Sequence, residues 1–115
     1  MKYLIESQIK SYLRSNKSIE QFISKTKISE FDVFKWIAIE RNENSYSLVL
    51  HEVFDDRQEG IESIYDFSYV QPDDIYGKII TESEDIYDIL NSAKKILNAD
   101  KNKYLTFGFM DQEIK

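Results

Sequence analysis

The feature that most constrains this chain is a ten-residue stretch, residues 31–40, that is apolar on both sides of an extended backbone. Successive side chains of a strand point to opposite faces. Here the two faces would carry Phe34, Trp36 and Ala38 on one side and Val33, Ile37 and Ile39 on the other. A strand that is apolar on both faces is typical of a sheet interior. The stretch therefore predicts a central strand with further elements packed above and below it.

Three further segments are predicted to be strands because their apolar residues alternate: 46–54, 61–70 and 103–110. Turn-forming residues at 42–45 and 55–60 separate the earlier segments. We therefore expect 31–40, 46–54 and 61–70 to form an antiparallel three-stranded meander. The segment 103–110 would add a fourth strand to the same sheet.

The N-terminal region has the spacing of helices. Apolar residues within 3–14 recur at intervals of three and four, which predicts a helix. After a break at residues 16–18, Ser18 is followed three residues later by Gln21. This spacing is typical of a capping box and predicts a short second helix. Together the two would make a helical region of about 25 residues.

Residues 84–98 predict a further helix, for which Thr81 or Ser83 would be the N-cap. Acidic residues at its start and lysines near its end suit the helix dipole. Its apolar stripe would pack on the sheet. The predicted architecture is α+β, with N-terminal helices, the meander, a fourth strand and one helix packed on the sheet. At 115 residues, the chain is expected to form a single domain over 1–115.

The composition removes several classes of site. The chain has no Cys and one His, so disulfides, thiol nucleophiles and zinc sites built from Cys or several His are excluded. No phosphate-binding or nucleophile-elbow motif occurs. A calcium-loop spacing from Asp55 fails because Arg57 occupies a ligand position. We expect no metal and no cofactor, and stability that does not change when a chelator is added.

Catalytic candidates are few. His51 is the one side chain that would titrate near neutral pH, and its predicted place in a strand favours a structural or interface role. The 21 acidic residues keep a small acid–base enzyme open as an alternative. Most of them, however, occupy predicted turns and helix starts, where Asp and Glu are common for structural reasons. We therefore expect no catalytic residues and no enzymatic activity.

Negative charge is concentrated in the middle of the chain. The net charge is −6, yet residues 51–92 carry twelve carboxylates against Arg57 and Lys78. Such a segment would repel nucleic acid. It is typical either of a solvated acidic face or of a surface for a basic protein partner. Tyrosine is enriched in protein interfaces. The candidate partner-binding residues are Asp55, Asp56, Glu59, Glu62, Tyr65, Tyr69, Asp73, Asp74 and Tyr76.

Three segments carry a resemblance to a known family: 30–39 (EFDVFKWIAI), 48–56 (LVLHEVFDD) and 65–69 (YDFSY). In these segments, and in its size, acidity and aromatic strands, the chain resembles the small bacterial immunity proteins of contact-dependent growth inhibition and related polymorphic toxin systems. It implies an inhibitor that binds a basic toxin domain, often a nuclease, in the bacterial cytosol. A cytosolic adaptor with another protein partner is the alternative. Because no export signal and no long apolar run occur, we expect a cytoplasmic protein that binds no membrane.

Overall fold

The structure is a computed structural model that describes residues 3–115. It contains two α-helices and five strands, connected in places by short 3-10 turns. The α+β class predicted from the sequence is confirmed. In chain order the elements are α1 (Glu6–Arg14), β1 (Ile19–Ile28), β2 (Phe31–Asn42), β3 (Ser45–Phe54), β4 (Lys78–Ser83), α2 (Ile86–Leu97) and β5 (Leu105–Thr106).

The five strands form one antiparallel sheet in the order β4-β3-β2-β1-β5. Strand β2 lies at its centre, as its two apolar faces predicted, and pairs with β1 on one side and β3 on the other. Its residues Val33, Phe34 and the segment 36–39 are buried. Each large apolar side chain buried in this way stabilises the fold by about 2 kcal/mol.

The sheet is covered on both faces. Helices α1 and α2 pack on one face, where Leu13 and Ile89 contact a core that includes Ile37 and Ile39. The predicted packing of a C-terminal helix on the sheet is therefore confirmed. The opposite face has no helix layer among the described residues, and is covered by the segment between β3 and β4 and by the C-terminal segment. Their contributions to that second core are Ile64, Phe67, Met110 and Ile114.

The predicted second helix is wrong, because its residues form the first half of β1. Ile19, Glu20 and Gln21 are all buried, which a short helix with one apolar stripe would not achieve. As a strand, this segment pairs with β2 along its length, for example Glu20 with Ala38. A helix of so few residues is costly to nucleate. Pairing with β2 therefore overrides the local capping signal.

The predicted strand over 61–70 is also wrong. The segment contains a 3-10 turn at Ile64–Asp66, and only Tyr69 forms an isolated bridge, with Val53 of β3. The buried side chains of this segment are Ile64 and Phe67, which are three residues apart. The alternating apolar residues that predicted a strand therefore do not all point towards the core. The strand beside β3 is instead β4, which follows Pro72–Asp74 and was not predicted.

The predicted strand over 103–110 is reduced to the two residues of β5, which pair with Ile19 and Glu20 of β1. Gly108 has a φ of +100°, which interrupts the extended backbone. The chain then turns into a 3-10 segment, Met110–Glu113. The predicted fourth strand is therefore present only as a two-residue strand at the edge of the sheet.

Candidate protein-binding surface

Two of the predicted contact residues, Asp55 and Asp56, stabilise the turn after β3. The Arg57 guanidinium donates hydrogen bonds to Asp55 from Nε and Nη2, at 2.8 and 2.7 Å, and holds the pKa of that carboxyl below its usual value. Asp56 accepts hydrogen bonds from the backbone N–H and the hydroxyl of Ser68, at 2.6 and 2.8 Å. These carboxylates serve the fold, so reversing their charge would damage the turn as well as any interface.

Tyr65, a predicted anchor, points into the protein and contacts a buried carboxyl. Its hydroxyl donates to Glu20 Oε1 at 2.6 Å and accepts from the backbone N–H groups of Gly108 and Met110, each at 3.0 Å. Glu20 also accepts from the Gly108 N–H at 3.1 Å. The contact thus joins β1, the segment after β3 and the C-terminal segment at one point.

Tyr69, another predicted anchor, is bound to His51 on the same face of the sheet. The Tyr69 hydroxyl lies 2.7 Å from His51 Nδ1. The His51 ring stacks on Trp36 of the neighbouring strand, with ring centroids 3.9 Å apart and planes within 9°. Trp36 and His51 are directly paired across β2 and β3, which brings the rings together. The rings of Trp36 and His51 are both buried.

Burial changes the acidity of this polar cluster, defined as Glu20, Trp36, His51, Tyr65 and Tyr69. Desolvation raises the pKa of Glu20 to about 7 and lowers the pKa of His51 to about 4. Burial also raises the pKa of Tyr65 and Tyr69. Within the described residues, Glu20 Oε2 and Trp36 Nε1 are buried without a hydrogen-bond partner.

Glu20 lies in the protein interior, although a pKa near 7 is typical of a general acid. Its side chain is 0% exposed. Two surface grooves, of about 410 and 690 Å³, are not lined by residues of the polar cluster. In the part of the chain that the structure describes, no three His, Asp or Glu side chains converge to hold a metal ion. We interpret the cluster as a structural clamp.

The clamp predicts the effect of removing one hydroxyl. Tyr65→Phe is expected to destabilise the protein by about 2 kcal/mol, because the buried N–H of Met110 loses its acceptor and Glu20 loses a donor. Tyr76→Phe is the matched control, since Tyr76 is 86% exposed and should change stability by less than about 0.5 kcal/mol. Urea denaturation measures both. Equal stabilities of the two variants would contradict the clamp.

The other predicted contact residues lie at the surface. Glu59, Glu62, Asp73 and Tyr76 are exposed, and Asp74 is half-buried. Tyr76 is the predicted anchor whose ring remains in solvent. Glu59 and Glu62 lie in the loop after β3, whereas Asp73, Asp74 and Tyr76 lie just before β4. The structure therefore separates the nine predicted residues into a half-buried group held by hydrogen bonds within the protein and two exposed acidic regions.

Two exposed isoleucines beside the second region were not predicted as contact residues. Ile75 is 53% exposed and Ile79, in β4, is 55% exposed. The sequence signal that could have identified them is the short apolar run on either side of Gly77 and Lys78. We define the acidic edge as the exposed or half-buried surface around β4, with these members: Asp73, Asp74, Ile75, Tyr76, Ile79 and Glu82.

The acidic edge combines apolar and anionic side chains. Residues 71–88, which contain it, carry six carboxylates and one lysine. Protein interfaces typically have an aromatic or aliphatic centre and a polar rim. Ile75, Tyr76 and Ile79 supply the apolar part, and Asp73 and Glu82 supply charge on either side along the chain. This arrangement is suited to a partner that is basic around a small apolar patch.

No family model matches this chain, and no curated protein or solved structure matches it significantly. The segments that carry the resemblance to immunity proteins have different roles in the fold. Residues 30–39 and 48–56 contribute to the central strands β2 and β3, whereas 65–69 lies in the covering segment. Neither described helix is long and apolar enough to span a membrane.

Proposed function

We propose that this chain is an immunity protein that binds a basic toxin domain, such as a nuclease, in the bacterial cytosol and neutralises it. The observation that carries the proposal is the acidic edge, where Ile75, Tyr76 and Ile79 are exposed within a strongly anionic segment. A nuclease domain must present cationic groups to nucleic acid. An anionic surface with apolar anchors is therefore complementary to it.

Electrostatics also supports a protein partner over a nucleic acid. The six carboxylates of residues 71–88 would repel phosphate groups, which opposes direct binding of DNA or RNA. Attraction to a basic domain would instead accelerate encounter, towards about 10⁸ M⁻¹s⁻¹ at low salt. Buried apolar contacts would then determine how long the complex lasts. An inhibitor of a lethal enzyme needs both rapid capture and slow release.

The proposal is tested by searching the neighbouring genes for a toxin domain and using that domain as the partner. Co-expression of this chain should protect cells from that domain, and the purified proteins should form a complex. Asp73→Lys combined with Glu82→Lys should slow association about tenfold at low salt, because both carboxylates belong to the acidic edge. Stopped-flow mixing at several salt concentrations measures the rate.

Glu59→Lys combined with Glu62→Lys is the matched control. It changes the net charge by the same amount at exposed positions of the other acidic region. We expect a smaller effect, since these residues lie outside the acidic edge. Equal slowing by both double variants would show that net charge, not the acidic edge, controls association. If the chain neither protects cells nor forms a complex, the immunity function is wrong, and binding to another basic protein would favour the adaptor.

A further inference from the structure

The two edges of the sheet differ in how well they are closed. On the β1 side, β5 pairs with Ile19 and Glu20, and the Gln21 side chain makes two hydrogen bonds of 2.7 Å to the backbone of Asp100. Farther along β1, Lys25 and Lys27 are exposed and pair with Asp32. Covering segments and lysines are the usual protection of an edge strand.

The β4 edge is protected by Lys78 and by a bulge, but no covering segment pairs with it among the described residues. Strand β4 pairs with β3 on one side only, and no other described backbone group hydrogen-bonds to residues 78–83. Its outward N–H and C=O groups are therefore open to a further strand. One bulge, at Ile80, divides the edge. Ile79 is an exposed residue of this strand and follows the exposed Ile75 and Tyr76 by a few residues.

Charge decides which kind of strand suits this edge. Pairing of β4 with β4 of a second copy would bring anionic segments together, because Asp73 and Asp74 precede the strand while Glu84 and Asp85 follow it. Like charges brought close together disfavour such pairing. The strand itself carries Lys78 and Glu82 and has no net charge, so an extended segment rich in lysine or arginine is attracted by the anionic residues at its two ends. The charge distribution therefore opposes a homodimer and favours a basic partner strand.

We propose that the partner binds by strand addition, with an extended basic segment pairing along the outer edge of β4. This inference rests on the proposed function in taking the partner to be a basic protein. Backbone hydrogen bonds to residues 78–83 would provide affinity, and contact with Ile79 would select an apolar side chain between the basic ones. Since the bulge shortens the ladder, the side-chain contact at Ile79 contributes a large share of the affinity.

A capped seven-residue peptide in which lysine alternates with valine is the probe for this mode. In NMR titrations the peptide should shift the amide resonances of β4, and the outward amides of residues 78–83 should exchange about tenfold more slowly when it is bound. The amides of β1 should be unaffected. A peptide in which glutamate replaces lysine should not bind. Shifts confined to other elements, or no binding of the lysine peptide, would overturn the proposal.

Substituting two equally exposed isoleucines, one in β4 and one in α2, distinguishes a specific contact at β4 from a general effect of losing apolar surface. Ile79→Ser should weaken peptide binding about fivefold, as expected for the loss of a central apolar contact. Ile96→Ser on α2 is the matched control, since both isoleucines are 55% exposed, and should bind as the wild type does. Two-dimensional spectra establish that both variants are folded. Equal binding by the two variants would contradict contact at Ile79.

The same exchange measurement on the complex with the toxin domain distinguishes this inference from the proposed function. If the toxin domain binds without protecting β4 amides, strand addition is wrong and the proposed function stands. If the peptide protects β4 but the toxin domain does not bind, the immunity function is wrong. In that case β4 is a strand-binding edge for another basic protein.

Discussion

The wild-type protein is expected to lose stability as pH rises through neutrality, and the Glu20→Gln variant is expected not to show this loss. Burial raises the pKa of Glu20 to about 7, whereas in the unfolded chain the pKa stays near its ordinary value of 4.5. Between these values the folded protein keeps a proton that the unfolded chain has released. The free energy of unfolding therefore falls by about 3 kcal/mol as pH rises from 4.5 to above 7.

The measurement is the difference in unfolding free energy between Glu20→Gln and wild type, from urea denaturation at pH 4.5 to 8. The variant should gain about 3 kcal/mol relative to wild type across this range. His51 acts in the opposite direction: its pKa of about 4 means that stability is lost as pH falls below 6.5. Since His51 titrates in both proteins, its contribution cancels in the difference. A difference that does not change with pH would contradict a neutral, buried Glu20.

Gly77→Ala is expected to destabilise the protein by about 3 kcal/mol, through both backbone strain and overlap. Gly77 has a φ of +85°, which is strained for any residue with a Cβ. An added Cβ would lie 2.4 Å from Val49 Cγ1 and 2.7 Å from His51 Cε1. Both side chains belong to β3 and are buried, so neither has room to move away. Denaturant unfolding measures the loss.

Gly60→Ala isolates the contribution of the overlap. Gly60 has nearly the same backbone conformation, with a φ of +84°, but an added Cβ would meet nothing within 4 Å. It should cost about 1 kcal/mol, which leaves about 2 kcal/mol for the overlap at Gly77. If the two variants lost equal stability, the contact between Gly77 and His51 would be looser than the structure shows.

The sequence predicted an element correctly where its apolar pattern fits one conformation. In α2 the apolar residues recur at helical spacing, and in β3 Tyr46, Leu48 and Leu50 alternate. The start of β1 fits both conformations, although β1 is as long as β3. Ile19, Phe22 and Ile23 suit a helix face, yet the segment is a strand because β2 offers backbone partners for its whole length. For such segments the choice depends on pairing with residues distant in the chain.

The acidity of the candidate surface was determined by the sequence, since charge depends only on composition and order. Which side chains present that charge to a partner was decided by the tertiary structure. Asp55 and Asp56 are held in turns, and the edge of β3 is shared between β4 and the segment before it. No local sequence pattern shows that two segments divide the edge of β3 between them.

The tyrosines illustrate the same division at the level of single side chains. Composition and order identified Tyr65, Tyr69 and Tyr76 as aromatic side chains within an anionic segment. The fold turns Tyr65 towards Glu20, 45 residues away in the chain, and Tyr69 towards His51, 18 residues away, while Tyr76 stays in solvent. The buried carboxyl and imidazole need those hydroxyls as hydrogen-bond partners, because an unpaired polar group in the interior is costly. Glu20 and His51 need these hydrogen-bond partners only because folding of β1 and β3 into one sheet buries both side chains.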